Sequence, residues 1–475
     1  QLDLGDNRIA TLPDDVLSPL SHLKYLNLTG NMLTILPRST LNGLSSLEVL
    51  LLARNKLAVL PYQAFIGIRT LTHVDLTGNN IVSLQDHTFK PNRELKTLHL
   101  SSNRLTKLPS RLFSGLRKLE LLDLSNNDIH VLPRGLFNEL ATLEYVDLSR
   151  NPIGNLSNTA FQGLNNLVKL NISNTKLLRL PRDLWKSVPK LRSLALDETH
   201  IEILRNDDLI GLSQLENLTI TNSPLLKIEA KALNPLAQLR NLNFRRNKLT
   251  FLPESLAQLK RLQHLHLQDN PWACDCRMFW FVKWAESHAH RTAFESGLSC
   301  GQAEIVDTIQ ALRYLNCTAP FLSRISNVND RHRLNESVLL ECEFNGNPAP
   351  SVTWVTPSLE VFHWNPDTSF PDTFHDHEQH HHANDIYTKL GDDHIKIMPD
   401  NGSLLIKNLL RHDVGRYKCF AVNPIANMTT YVYVRMDPIT YYRIELFSMA
   451  VGGVCAAGFL LLTLFIQFLR YAFSR

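Results

Sequence analysis

A chain of 475 residues is longer than one compact core usually organises, so several domains are expected. Its net charge of +4 is small and spread along the chain, which argues against a nucleic-acid partner. Six of the seven cysteines lie in two clusters between residues 274 and 419, a usage that fits an oxidising compartment.

The first 271 residues repeat one pattern every 24 positions. Leu119-Glu-Leu-Leu-Asp-Leu-Ser-Asn-Asn-Asp-Ile-His-Val-Leu-Pro-Arg-Gly-Leu-Phe137 shows it as LxxLxLxxNxIxxLPxxxF. Asn7, Asn31, Asn55, Asn79, Asn103, Asn127 and Asn151 hold the phase. Thr175, Thr199 and Ser223 then take the same column, followed by Asn247, with Asn270 one residue early. This pattern resembles a leucine-rich repeat and predicts a horseshoe solenoid (α/β) of about twelve units over residues 1–271. One unit cannot bury its leucine face alone, so stacking makes the core continuous. A second column, Leu17, Leu41, Phe65, Phe89, Phe113, Phe137, Phe161, Trp185, Leu209 and Leu233, predicts an apolar spine along the back. Each asparagine amide is expected to bond backbone groups that the turn leaves unpaired. Thr175, Thr199 and Ser223 offer only a hydroxyl, so those repeats are expected to be looser or differently curved. Gln1 falls inside a repeat, with neither the polar cap of a solenoid end nor a signal-peptide pattern. The expectation is a fragment with its signal peptide upstream.

Residues 272–319 hold Pro-Trp-Ala-Cys274-Asp-Cys276-Arg-Met-Phe-Trp280-Phe-Val-Lys-Trp284, then Cys300 and Cys317. They resemble the cysteine-rich C-terminal cap of extracellular leucine-rich-repeat proteins. That resemblance implies the pairs Cys274–Cys300 and Cys276–Cys317, each stabilising by about 3–4 kcal/mol. A helix carrying Phe279, Val282 and Trp284 is expected to cover the last open strand; a zinc site is the alternative.

From residue 320 to 436 the period is gone. Cys342, Gly346-Asn-Pro348-Ala-Pro350, Trp354 and Asp413-Val-Gly415-Arg-Tyr417-Lys-Cys419 form the array of an immunoglobulin domain. An all-β sandwich is expected, with Cys342 bonded to Cys419, Trp354 against the bridge and Tyr417 as tyrosine corner. The cysteines are 77 apart, longer than usual, and the excess lies between Trp354 and Ile395. It contains His375-Asp-His377-Glu-Gln-His380-His381-His382, read as a solvated polar loop; zinc or copper binding and a pH-sensitive contact are the alternatives.

Residues 437–445 read as a juxtamembrane linker. Residues 446–469 are uncharged and, as a helix, span about 36 Å, enough for one transmembrane helix. Residues 470–475 form a cytoplasmic tail with Arg470 and Arg475. Eight N-x-S/T sequons, at Asn27, Asn155, Asn171, Asn217, Asn316, Asn335, Asn401 and Asn427, all precede the span. With the arginines after it, they place the N-terminus outside, as in a type I plasma-membrane protein. Gly452, Gly453, Ala456, Ala457 and Gly458 form small-xxx-small pairs that permit homo- or hetero-association through the helix; lipid-facing filler is the plainer reading. Cys455 lies too deep for palmitoylation. Six residues follow the span; if the chain ends there, they leave no room for a signalling domain, and signalling is expected to come from a partner.

Repeats, cysteine cap, immunoglobulin domain and single span together resemble the leucine-rich-repeat/immunoglobulin cell-surface family, in the layout of its kekkon-like, LINGO-like and neuronal leucine-rich-repeat members. The short tail departs from the kekkon-like pattern. The resemblance implies adhesion, neurite or synapse organisation, or co-receptor work, through a cell-surface or extracellular protein ligand. An innate-immune pattern-recognition receptor is the alternative, and a peroxidasin-type matrix enzyme would need a haem-peroxidase domain. No GxSxG, HExxH, P-loop or dinucleotide fingerprint occurs, so neither enzyme activity nor a cofactor or metal is expected.

Within LxxLxLxxN, the residue between the third and fourth conserved positions is expected to face out of the concave sheet. That row contains Leu51, Asp75, His99, Asp123 and Asp147. His99 between two aspartates reads as an exposed charged face rather than an acid-base group. Glycans at Asn27, Asn171 and Asn217 would shield the second repeat and the eighth to tenth. The third to seventh stay open, with Val49, Leu51, Leu121 and Tyr145 beside Asp75, Asp123, Glu144 and Asp147. Apolar anchors ringed by acids suit a basic protein partner.

Overall fold

The computed structural model describes residues 1–37, 39–61, 64–288, 293–294, 315–327, 330–366 and 394–472. They fall into two compact units, residues 1–314 and 315–475.

In the first unit, twelve short parallel strands from Leu2–Asp3 to His264–His266 stack in sequence order. Each pairs with the strand 24 residues on, as in Leu26↔Leu50 and Leu122↔Val146. The last step, Asn241↔His264, is one residue shorter, which accounts for the early Asn270. The middle residue of each three-residue strand points into the core; Leu26, Leu50, Leu98 and Leu122 are fully buried. Its two neighbours face the other way and stay half-exposed, because side chains alternate across a strand. The return arcs hold turns and short 3-10 segments, at Leu184–Ser187 and Glu254–Gln258. The predicted spine is present and buried throughout. Its rings stack, Phe65 on Phe89 at 5.5 Å, Phe137 on Phe161 at 6.4 Å and Phe161 on Trp185 at 6.1 Å. Gly163 belongs to these arcs at φ 102°, where an added Cβ would lie 2.4 Å from the Phe137 carbonyl oxygen.

The asparagine column stitches each repeat to the one before it. Asn55 Nδ2 donates to the carbonyls of Leu52, at 3.1 Å, and Leu28, at 2.9 Å, while its Oδ1 accepts from Leu33 N at 3.0 Å. Thr175 and Thr199 keep the bond to the carbonyl three residues back, at 3.0 and 3.1 Å. Here the link to the preceding repeat runs through shifted donors: Thr199 N donates to Ser223 Oγ and Ser223 N to Asn247 Oδ1. The ladder is thinner there, as expected, yet the register does not slip: Ser193 pairs with Asn217, and Asn217 with Asn241. In the same stretch a second parallel ladder joins Ile203–Leu204 to Lys227–Ile228 on the return side, adding backbone bonds.

The solenoid's last open edge is covered differently from the expectation. Ala293–Phe294 pairs with His264 and Leu265 as a thirteenth strand. Helix α1 (Phe279–His288) packs against Glu254–Gln258 and buries Phe281 completely, along with Val282 and Trp284. Phe279 is only half-buried, because it begins the helix. Asp275 caps the preceding turn by accepting from Arg277 N at 2.9 Å. Cys274, Cys276 and Cys317 are disulfide-bonded. Cys300 lies outside the described residues, so the pairs Cys274–Cys300 and Cys276–Cys317 rest on the resemblance alone.

The second unit contains a β-sandwich. One sheet orders Arg331–His332, Asn427–Met436, Gly415–Val422, Ser351–Val355 and Val361–Trp364. Facing it are Val338–Leu340, Leu404–Ile406 and Ile395–Ile397, with Cys342–Asn347 paired to Thr318–Ile325. Cys342 and Cys419 are bonded across it, their Cα atoms 6.7 Å apart. Trp354 is fully buried and donates to the Gly402 carbonyl at 2.8 Å. Tyr417 donates to the Asp413 carbonyl at 2.9 Å, the tyrosine corner. The buried Asp413 carboxylate accepts from Leu410 N at 2.7 Å and lies 2.9 Å from His394 Nε2. The excess length follows the strand Val361–Trp364; the histidine-rich stretch 375–382 lies outside the described residues.

Helix α2 runs from Pro438 to Ala472. The residues read as a linker are therefore helical from Pro438, a residue whose fixed φ and missing N–H suit the first turn. Within α2, Leu446–Arg470 is long and apolar enough to cross a membrane, with a mean hydropathy of 2.3.

Candidate ligand-binding face

Strand pairing sets the outward residues in two rows. Leu51, Asp75, His99, Asp123, Asp147 and Asn171 are consecutive neighbours in one. Val49, His73, Thr97, Leu121, Tyr145 and Lys169 form the other. Eight of the nine residues expected on the ligand face lie in these rows and are half-buried; Glu144, one residue before the strand, is exposed beside them on the flank. The sheet does not gather their apolar groups into one patch. Leu121 and Tyr145 are cross-strand neighbours, but Tyr145 is four strands from Val49, about 19 Å at the usual spacing. Between them stand His73, Thr97, Asp75 and His99. At the near end, Tyr25 pairs with Val49 and is half-buried, so Tyr25, Val49 and Leu51 make a second apolar cluster. Sequence reasoning missed Tyr25 because the neighbouring sequon at Asn27 assigned its whole repeat to a glycan shield.

The acids are more tied down than their spacing suggests. Asp75, Asp123 and Asp147 each accept the backbone N–H two residues on, from Thr77, Ser125 and Ser149, at 2.9, 3.0 and 2.9 Å. Such Asx turns close the end of each strand. Asn27, Asn171 and Asn243 do the same. The row is thus a structural column as well as a surface, and the alternation of Asp and Asn carries the missed signal. Asp147 Oδ2 also accepts from Tyr145 Oη, at 2.9 Å, and from Asn171 Nδ2, at 3.0 Å. Burial first, then Asp147, pushes the Tyr145 hydroxyl far above its ordinary range, so the ring is held neutral and oriented.

His99 Nδ1 lies 3.6 Å from Asp123 Oδ2. The Asp123 carboxylate beside it raises the His99 pKa above 6.5 against an opposing burial effect, and the charge of Asp75 adds to the rise. Burial works to raise the Asp123 pKa, but bonds from His99, Ser125 and Ser101 outweigh it and hold the carboxyl at about 2. The stabilisation from protonated His99 is therefore full below its ordinary pKa and fades as pH rises through the raised value. That from Asp123 is present above about 3.8 and is lost as pH falls through about 2.

None of the eight sequons is buried: Asn155, Asn316, Asn335, Asn401 and Asn427 are exposed, while Asn27, Asn171 and Asn217 are half-buried on the sheet.

A parallel solenoid, a disulfide-closed sandwich and an apolar helix long enough to cross a membrane together make the layout of the leucine-rich-repeat/immunoglobulin cell-surface family. The chain belongs to the leucine-rich-repeat family: the leucine rich repeat model matches in overlapping blocks, 1–57, 21–81, 69–129, 121–177, 165–225 and 213–271. The immunoglobulin domain model matches residues 322–423. The NT-3 growth factor receptor of Gallus gallus is 32% identical over 127 residues, which are 26% of this chain and 14% of the receptor. The human receptor of that name (Homo sapiens) is 28% identical over 123 residues, again 26% and 14%. The match thus covers a small part of those receptors. In mouse, the solved RP105/MD-1 complex is similar with a TM-score of 0.53 at 23% identity, over 65% of this chain and 57% of that one. The Drosophila Toll–Spatzle complex is similar with a TM-score of 0.50 at 22% identity, over 65% and 53%. At such identities these two solved structures speak for the fold alone.

Proposed function

We propose that this chain is a type I single-pass adhesion or co-receptor protein of the plasma membrane, without enzyme activity, that binds a protein ligand on the concave sheet of its solenoid. The observation that carries this reading is the face itself: two apolar clusters, one at Tyr25, Val49 and Leu51 and one at Leu121 and Tyr145, flank a fixed Asp–His–Asp row. Sequons border that span at Asn27 and Asn171. The growth factor receptors among the relatives support a protein as the ligand. The receptor relatives support the further reading of a role in neuronal or intercellular signalling.

The test is a screen of the ectodomain against cell-surface proteins, followed by Leu51→Ala and Tyr145→Ala. Each is expected to weaken binding about tenfold, the effect of a loss of about 1.4 kcal/mol, with the unfolding midpoint little changed. A double variant that binds at full strength would move the site off the concave face.

Topology has its own test. Ending the chain at Asp437 removes α2 and is expected to release a glycosylated, folded ectodomain into the medium. Folded product that stays on the membrane would refute the span.

A further inference from the structure

Charge is less evenly spread than the total suggests. Residues 227–266 contain eight Lys and Arg against two Glu, a net +6, so the rest of the chain sums to −2. In the solenoid this segment forms the last repeats, and three of its cations converge. Arg240, Lys260 and Arg261 are exposed and, with Leu262 and Gln263, line a concavity of about 450 Å³. The backbone fixes their relation: Gln263 N and His264 N both donate to the Arg240 carbonyl, at 2.7 and 2.9 Å.

Earlier on the same flank, charges neutralise one another in pairs. Lys24 meets Glu48 at 2.8 Å, Lys96 meets Glu120 at 3.4 Å, and Arg192 meets Glu216 at 3.1 Å. At the last repeats this pairing gives out. Arg240 reaches Glu216 only at 3.9 Å, in competition with Arg192. Arg261 donates to the neutral side chain of Gln238, and Lys260 has no side-chain partner among the described residues.

We propose that this concavity binds a sulfated glycosaminoglycan. Guanidinium forks match the paired oxygens of sulfate and carboxylate, and an ammonium adds a point charge. A chain bearing both anions along its length fits cations repeated on successive solenoid turns. The choice of a polysaccharide over an anionic lipid rests on the extracellular reading above, but the binding chemistry does not.

The test uses the full chain in nanodiscs of neutral lipid, with heparin immobilised as probe. Retention is expected, weakening steeply with salt, and the pair Lys260→Glu with Arg261→Glu should weaken it at least tenfold. Lys260→Gln with Arg261→Gln gives the same direction without charge repulsion and guards against misfolding. Tyr145→Ala should leave heparin binding unchanged, which separates this site from the concave face. Heparin binding that survives both double variants, or equal binding of desulfated heparin, would overturn the proposal. So would capture of phosphatidylserine vesicles in place of heparin.

Discussion

Cys419→Ala is expected to unfold the immunoglobulin sandwich and leave the solenoid folded. The bridge from Cys342 closes a sequence separation of 77. By loop-closure entropy such a crosslink stabilises by about 4–5 kcal/mol. A domain typically holds about 5–15 kcal/mol in all, so the loss takes most of what the sandwich has. Packing adds to it, since Trp354 and Tyr417 lie in the same buried cluster as the two sulfurs. The repeats contact mainly their neighbours in sequence, so the solenoid should be indifferent. Calorimetry on the intact chain should show one transition lost or moved down by tens of degrees and the other retained. A sandwich transition that stays within a few degrees of wild type would mean that the cluster, not the bridge, holds the sheets together.

Long-range order was legible wherever one physical requirement recurs at fixed spacing. Leu26, Leu50 and Leu122 must point inward in every unit, so the period, register and apolar spine could be read from residues alone. Cys342, Trp354, Tyr417 and Cys419 were legible because a sandwich core needs those large groups at those positions. Single-copy geometry was not. Phe281 rather than Phe279 is the buried anchor of α1 because Cys276–Met278 forms a 3-10 turn ahead of the helix and rotates its face. Pro438 reads as a break when it follows a strand, yet here it is the first residue of α2. Tyr25 and the Asx turns show a third limit. A residue's value on the concave face depends on its neighbour one strand over, and an aspartate that looks free for a ligand is already closing its own turn. Even the charge total misled, because +6 in one segment and −2 elsewhere average to a bland chain.

The asparagine ladder makes the second large prediction. Asn127 Nδ2 donates to the carbonyls of Leu100, at 3.0 Å, and Leu124, at 3.1 Å, and its Oδ1 accepts from Leu105 N at 3.0 Å. Asn127→Ala leaves these buried backbone groups without partners, and each such group costs about 1–3 kcal/mol. A total of about 3–5 kcal/mol is expected, enough to open the repeats on either side. Asn127→Thr should cost clearly less. Thr175 shows that a hydroxyl keeps the bond within its own repeat, at 3.0 Å to Ile172. Because long repeat arrays do not unfold as one unit, the measurement is amide hydrogen exchange rather than a single midpoint. Leu105 N should lose protection in both variants, and more in the alanine one. The amides around Leu26 and Leu242, several repeats away, should keep theirs. If Leu105 N stays protected in Asn127→Ala, stacking of the leucines alone holds the turns, and the ladder only decorates them.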